Sequence, residues 1–161
     1  MAACNSRDWK VTMSEHNVKL IWKKQTESFA YKDYNRDHQW DFGEGLVVNA
    51  SSAPQYLGNP ECADPERAFA AALSSCHMLF FIAICSKKGF VVESYIDKST
   101  AFLTQDEQGE LVISKVILRP DVTFAEGVAV SQEILDKIHH QSHEKCFLAR
   151  SVKSEVLVEP V

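Results

Sequence analysis

The sequence predicts an α+β domain in which strongly bent antiparallel sheets pack around one long, buried central helix. Three observations carry this expectation. The 161 residues suffice for one domain with a real core, spanning 1–161, but not for two. One stretch, residues 65–88, is apolar nearly all the way round a helix, as a helix buried on several faces is. The flanking apolar segments are short and alternating, in the order strands, long helix, two strands, helix, strand.

Residues 1–15 are polar and predict a frayed end. HNVKLIWKKQTESFAYKD, residues 16–33, has short alternating stretches and predicts a first strand or hairpin. HQWDFGEGLVVNAS continues as strand, glycine turn, strand. SSAPQYLGNPECADP carries three prolines and a glycine and predicts a loop. The loop ends in a helix start: Asp64 can cap, Pro65 suits the first helical position, and the acid Glu66 lies in the first turn. Gly89 supplies the stop, with Lys87 and Lys88 at the negative end of the helix dipole. FVVESYIDKSTAFLTQ and ELVISKVILRPDVTF, separated by DEQG, predict two long strands of a hairpin. VAVSQEILDKIHHQSHEK predicts an amphipathic helix, and SVKSEVLVEP a last strand.

Composition narrows the function. Apolar content of 45% and charged content of 24% are those of an ordinary soluble globule. The formal charge is −5, and the basic residues form no stripe, which argues against nucleic acid or an anionic membrane as partner. The N-terminal residues lack an apolar signal-peptide core, so cytoplasmic residence is the expectation. Residues 68–85 approach the length of a membrane span, but Ser74, Ser75 and His77 at their centre favour a buried helix of a soluble core. The five cysteines are odd in number, and none is paired in a C-x-x-C motif. A secreted disulfide scaffold is thereby disfavoured, leaving free thiols, metal ligands or redox-active groups.

Cys76 lies inside the long apolar helix, where a thiol is small hydrophobic filler, a metal ligand or a nucleophile. Cys85, nearer the helix end, suits packing. Cys4 and Cys62, in the N-terminal segment and the loop, carry no signal. Cys146 sits where a polar helix end meets the apolar turn CFLARSV, and only the fold can pair it with Cys76. His139, His143 and Cys146 have i, i+4, i+7 spacing, a three-ligand pattern for zinc. A solvated, histidine-rich helix end including His140 is the alternative, and imidazolium there would suit the dipole. Arg36, in YNRDHQWDF, is either a surface charge or a guanidinium turned toward a thiol. An unassisted thiol is only about 3% thiolate at pH 7, and a nearby guanidinium raises that fraction. Glu66 is either a first-turn acid or the carboxylate that orients such a guanidinium.

Four stretches together resemble the OsmC/Ohr family of thiol-dependent hydroperoxide reductases, over roughly residues 20–160. They are YNRDHQWDF; SSAPQYLGNP followed by PERAFAAALSSCHMLFF, with Glu66 ten positions before Cys76; RPDVTF; and SHEKCFLARSVKSEV. The A-A-L-S-S-C-H-M run is closer to the OsmC-like branch. Ohr proteins usually carry proline after the second cysteine, where this chain has Phe147. The resemblance implies that Cys76 is the peroxidatic nucleophile, Cys146 the resolving thiol, and that Arg36 and Glu66 activate Cys76. It implies reduction of an organic hydroperoxide to an alcohol, a Cys76–Cys146 disulfide, and recycling by an external dithiol, often a lipoyl group. No metal, haem or flavin is implied. It also implies an intertwined homodimer. Ten residues at ~1.5 Å each put Glu66 about 15 Å along the helix from Cys76. The expectation is therefore that Arg36 or Glu66 reaches each site from a second subunit. Met78, Phe69, Phe80 and Phe81 are candidates for an apolar pocket around the thiol. The competing functions are a redox-sensing or small-molecule-binding protein with little turnover, and a zinc protein built on the histidines.

Overall fold

The structure is a computed structural model and describes residues 13–161. Most of the expected frayed stretch, and Cys4 with it, lies outside the described residues. Residues 13–18 are exposed and belong to no regular element.

Strands β1 (Lys19–Ile21), β2 (His38–Asp41) and β3 (Val47–Ala50) form an antiparallel sheet in that order. The turn between β2 and β3 is the expected glycine turn. It closes through Phe42 N–H to Leu46 O at 2.9 Å, and Gly43 and Gly45 take positive φ, which glycine adopts without penalty. The expected first hairpin has only three residues in β1, because Asn35 captures the backbone groups a longer ladder would have used. Its side chain accepts from Gln25 N–H at 2.8 Å and donates to Lys23 O at 3.0 Å.

Helix α1 (Pro65–Lys88) starts and stops where the sequence predicts. Asp64 accepts the Arg67 N–H at 2.7 Å, and Gly89 closes the C-terminus in the left-handed conformation. One expectation about α1 fails within a single chain: it is not buried all round. Leu73, Cys76, His77, Phe81 and Cys85 face inward, while Leu79 is 60% and Ile82 39% exposed. By length and composition α1 could cross a membrane, yet its inward residues build both clusters of the core. One cluster joins Ala70 and Leu73 to Val116 and Leu118. The other joins Phe81 and Cys85 to Ile138.

The expected long hairpin is broken into four strands: β4 (Val92–Asp97), β5 (Thr100–Gln105), β6 (Leu111–Leu118) and β7 (Pro120–Phe124). β5 pairs with β6 and β4 with β7, in separate sheets. The bend is fixed where Asp97 Oδ1 accepts the Arg119 N–H at 2.6 Å, beside Pro120, which has no N–H to continue the ladder. Helix α2 (Gln132–Lys145) follows, capped by Ser131, and then β8 (Glu155–Val158). β8 pairs with β6 in parallel, the one parallel pairing among the described strands of otherwise antiparallel sheets. The α2 crossover carries the chain back to the same end of the sheet, the connection a parallel pair requires.

Candidate active site

Helix α1 and the end of α2 pack side by side, and this seam brings Cys76 and Cys146 together across 70 residues. Cys146 is the C-cap of α2. Its N–H is held by Ser142 O and His143 O, so the chain leaves the helix with the thiol turned toward α1. The two sulfurs stand 2.7 Å apart, with Cys146 donating to Cys76. Both are free thiols, 6% and 1% exposed respectively. Burial pushes the Cys146 thiol up to about 11, and the hydrogen bond it gives Cys76 acts in the same direction. The Ala149 and Leu148 amides oppose this; Ala149 N lies 3.4 Å from the sulfur. Cys146 thus holds its proton near pH 7. Cys85, also raised to about 11 by burial, packs in the second core cluster away from this pair.

Arg36 and Glu66 do not reach the sulfurs within one chain. Arg36 donates to Tyr34 O at 2.9 Å and Tyr31 O at 2.6 Å, and its guanidinium lies 4.1 Å from the Tyr34 ring centroid. It lines a cavity of about 460 Å³ together with Trp22, Phe29, Tyr34, His38 and Pro65. Glu66 lies one residue further along α1 but faces a different groove, of about 540 Å³, with Ser74, Met78, Asp97 and Ser99. Its Oε2 is buried without a hydrogen-bond partner, and so is Ser99 Oγ. Neither residue therefore approaches Cys76 inside a single subunit, and the expected contribution of a second subunit lies outside a single chain. The reason is the axial separation of Glu66 and Cys76 on a straight helix, which the sequence already made plain.

The sequence reading missed the other contact across the seam. His77 and His139 stack with ring planes 5° apart, and His77 Nε2 lies 3.1 Å from His139 Nδ1. Both rings are buried, and burial pulls each down to about 4, so they are neutral near pH 7. The signal was visible as a histidine directly after Cys76 and as a pair at 139–140, but nothing in the spacing joined them. This contact also dissolves the zinc pattern: His139 turns to His77 while Cys146 turns to Cys76. Among the described residues, no three His, Cys, Asp or Glu side chains are placed to hold a metal ion.

Of the expected apolar neighbours, Phe81 is fully buried against Tyr95 and His139, and Met78 faces the Glu66 groove. Phe69 packs on the first core cluster. Phe80 is half-buried one turn from Cys76, and the Phe147 ring meets it edge to face at 5.9 Å. Chemically, the arrangement is a pair of buried thiols in contact, flanked by apolar side chains.

Residues 58–160 match the family model described as OsmC-like protein. An OsmC-like protein of unknown function from Vibrio cholerae is 41% identical. Its structure superposes with a TM-score of 0.88 over 92% of this chain and 100% of that one. An organic hydroperoxide resistance protein from Elizabethkingia anophelis shares the fold at 16% identity (TM-score 0.69, 93% of this chain and 96% of that one). Another from Bacillus subtilis does so at 16% identity (TM-score 0.63, 90% and 98%). No curated protein matches. The extent of the family match and the Vibrio cholerae likeness place this chain in the OsmC-like family.

Proposed function

We propose that this protein is a cysteine-based peroxidase that reduces organic hydroperoxides to alcohols. The observation that carries the reading is the pairing of Cys76 and Cys146 at 2.7 Å in a buried, apolar seam. The Cys76 thiolate attacks the distal peroxide oxygen. The O–O bond breaks, the alkoxide takes a proton and leaves as the alcohol, and Cys76 becomes a sulfenic acid. The Cys146 sulfur then attacks the sulfenic sulfur, and its proton departs with the hydroxyl as water. An external dithiol, with a lipoyl group as the natural candidate, exchanges with the Cys76–Cys146 disulfide and restores two thiols while itself being oxidised. A cytoplasmic setting, where thiols are kept reduced, suits this cycle.

A homodimer completes the proposal. Arg36 has no carboxylate partner among the described residues, and Glu66 presents a buried carboxylate oxygen with no donor. These complementary groups, with the exposed Leu79 and Ile82 on α1 and Leu20 and Leu46 on the first sheet, fit a second copy that brings its own Arg36 to Glu66. The Arg36–Glu66 pair then acts at the thiol pair from across the interface.

Peroxide consumption with dihydrolipoamide as reductant tests the reading. Wild type should turn over cumene hydroperoxide, and Cys76→Ser should abolish consumption. Cys146→Ser should consume about one equivalent per site and accumulate a sulfenic acid that dimedone traps. A wild type that forms the disulfide once but shows no turnover with any dithiol would make it a redox sensor instead. Sedimentation should give a dimer, and Arg36→Ala should slow the reaction of Cys76.

A further inference from the structure

Helix α2 carries a second cluster of chemistry-bearing side chains that the thiol pair does not use. Asp136, His139, His140 and His143 line a cavity of about 430 Å³, walled opposite by Val156, Leu157 and Val158 of β8 and by Pro160. His139 is only 4% exposed. Its Nδ1 lies 3.1 Å from His77 Nε2, but its Nε2 is buried with no partner. His143 stands one turn further along α2 and buries an Nδ1 that also has no partner. Buried ring nitrogens ordinarily find a partner, because one left bare keeps the full cost of its desolvation. His140 differs: its side chain is 73% exposed and its Nε2 lies 3.4 Å from Glu144 Oε1.

The two nitrogens of an imidazole point in nearly opposite directions. With Nδ1 turned to His77 on α1, His139 Nε2 is turned away from α1, and no α1 residue lines the cavity. One hydrogen serves the contact between the two rings. When His139 donates it, its Nε2 keeps a bare lone pair, and His77 takes the part that a carboxylate or carbonyl plays behind a ligating histidine. Two such nitrogens at i and i+4 of one helix are the chelating half of helical zinc sites. Charge selects a cation over an anion, since the Asp136 carboxylate shares the cavity and favours positive charge at His139. Cys146 is not part of this site, because its sulfur is engaged with Cys76.

We propose that His139 Nε2 and His143 Nδ1 bind a divalent first-row transition-metal ion, with zinc as the redox-silent case. Imidazole nitrogen suits zinc, copper and nickel. Among the described residues no third His, Cys, Asp or Glu side chain joins the two, so water entering by the cavity fills the remaining positions. The ion is therefore exchangeable, unlike one enclosed by four protein ligands. The site is separate from the thiol pair and stands whether or not that pair turns over peroxide.

The test titrates zinc(II) by calorimetry into wild type, His143→Ala and His140→Ala, with thiols kept reduced. Zinc held by the thiols is common to all three proteins and cancels in the comparison. Wild type should bind an equivalent that His143→Ala binds at least about tenfold more weakly, since loss of even an outer-shell partner costs that much. His140→Ala should match wild type. Histidine-ring nitrogen NMR of zinc-saturated wild type needs no variant. It should show His139 protonated at Nδ1 and metal-shifted at Nε2. Equal zinc binding in wild type and His143→Ala overturns the proposal. Equal weakening in His140→Ala overturns it too, because it assigns the ion to the exposed rim. A proton on His139 Nε2 at saturating zinc overturns it whatever the variants do.

Discussion

Acidification from pH 7 toward pH 4 should unfold the protein through the two imidazoles in the seam between α1 and α2. His77 and His139 have folded values near 4 against an ordinary 6.5, with burial as the main cause. Between those values the unfolded chain binds protons that the folded chain refuses, so stability falls as pH drops through 6.5 and continues to fall to about 4. At ~1.36 kcal/mol per pH unit, each imidazole accounts for about 3 kcal/mol. Two together reach about 6 kcal/mol, comparable to the whole stability of a domain, ~5–15 kcal/mol. Asp97, Asp136 and His143 also bear on the rings. The two carboxylates favour imidazolium and the like charge on His143 opposes it, but none outweighs burial. Asp64, whose carboxyl lies below its ordinary 3.8, contributes stability that is lost only as pH falls through that lower value, beneath the histidine window. The measurement is the urea midpoint and slope at half-unit pH steps, with thiols kept reduced and protein concentration fixed so that dimerisation does not shift the result. The double variant His77→Gln, His139→Gln should be less stable at pH 7.5 but lose most of the pH dependence. A wild-type midpoint that stays level from pH 7 to pH 4.5, or a double variant that retains the full slope, would refute the argument.

Two further substitutions test the supports of α1. Asp64→Ala removes the N-cap acceptor of Arg67 N–H and should cost about 1 kcal/mol in urea-derived stability. A Cβ added at Gly58 would lie 1.5 Å from Ser52 O and 2.3 Å from Ser52 C, both backbone atoms that cannot swing aside. Gly58→Ala should therefore destabilise by more than Asp64→Ala, on the order of 3 kcal/mol, and shift the amide resonances of residues 51–59 in NMR spectra. A thermal midpoint within a degree of wild type would show that the loop relaxes freely.

The parts of this molecule governed by local rules could be read from the chain. Asp64, Pro65 and Gly89 mark both ends of α1, and the Gly43–Gly45 turn is placed correctly, because caps and turns depend on a few adjacent residues. The bend of the long hairpin was not readable. It depends on Asp97 capturing the Arg119 N–H, 22 residues away, and the alternation of apolar residues runs through the break without a change of period. The same limit hid the His77–His139 stack, separated by 62 residues, and let His139 and His143 resemble a metal pattern with Cys146. Spacing along α2 shows which residues share a face; it does not show which of two seams on α1 each will meet.

The position of Cys76 on α1 decides which neighbours its thiol meets. Leu73, His77 and Phe81 point into the core, and Ala72, Leu79 and Ala83 point out of it. At 100° per residue Cys76 falls on the border between the two faces. A thiol one position later would lie where His77 now stacks in the core, and one position earlier where Ser75 faces solvent. On the border its sulfur meets Cys146 while keeping 6% exposure. The exposed side of α1 that departs from the expectation of a fully buried helix is therefore the side beside which Cys76 stands. In the proposed homodimer a second copy covering that side would decide what the thiol meets.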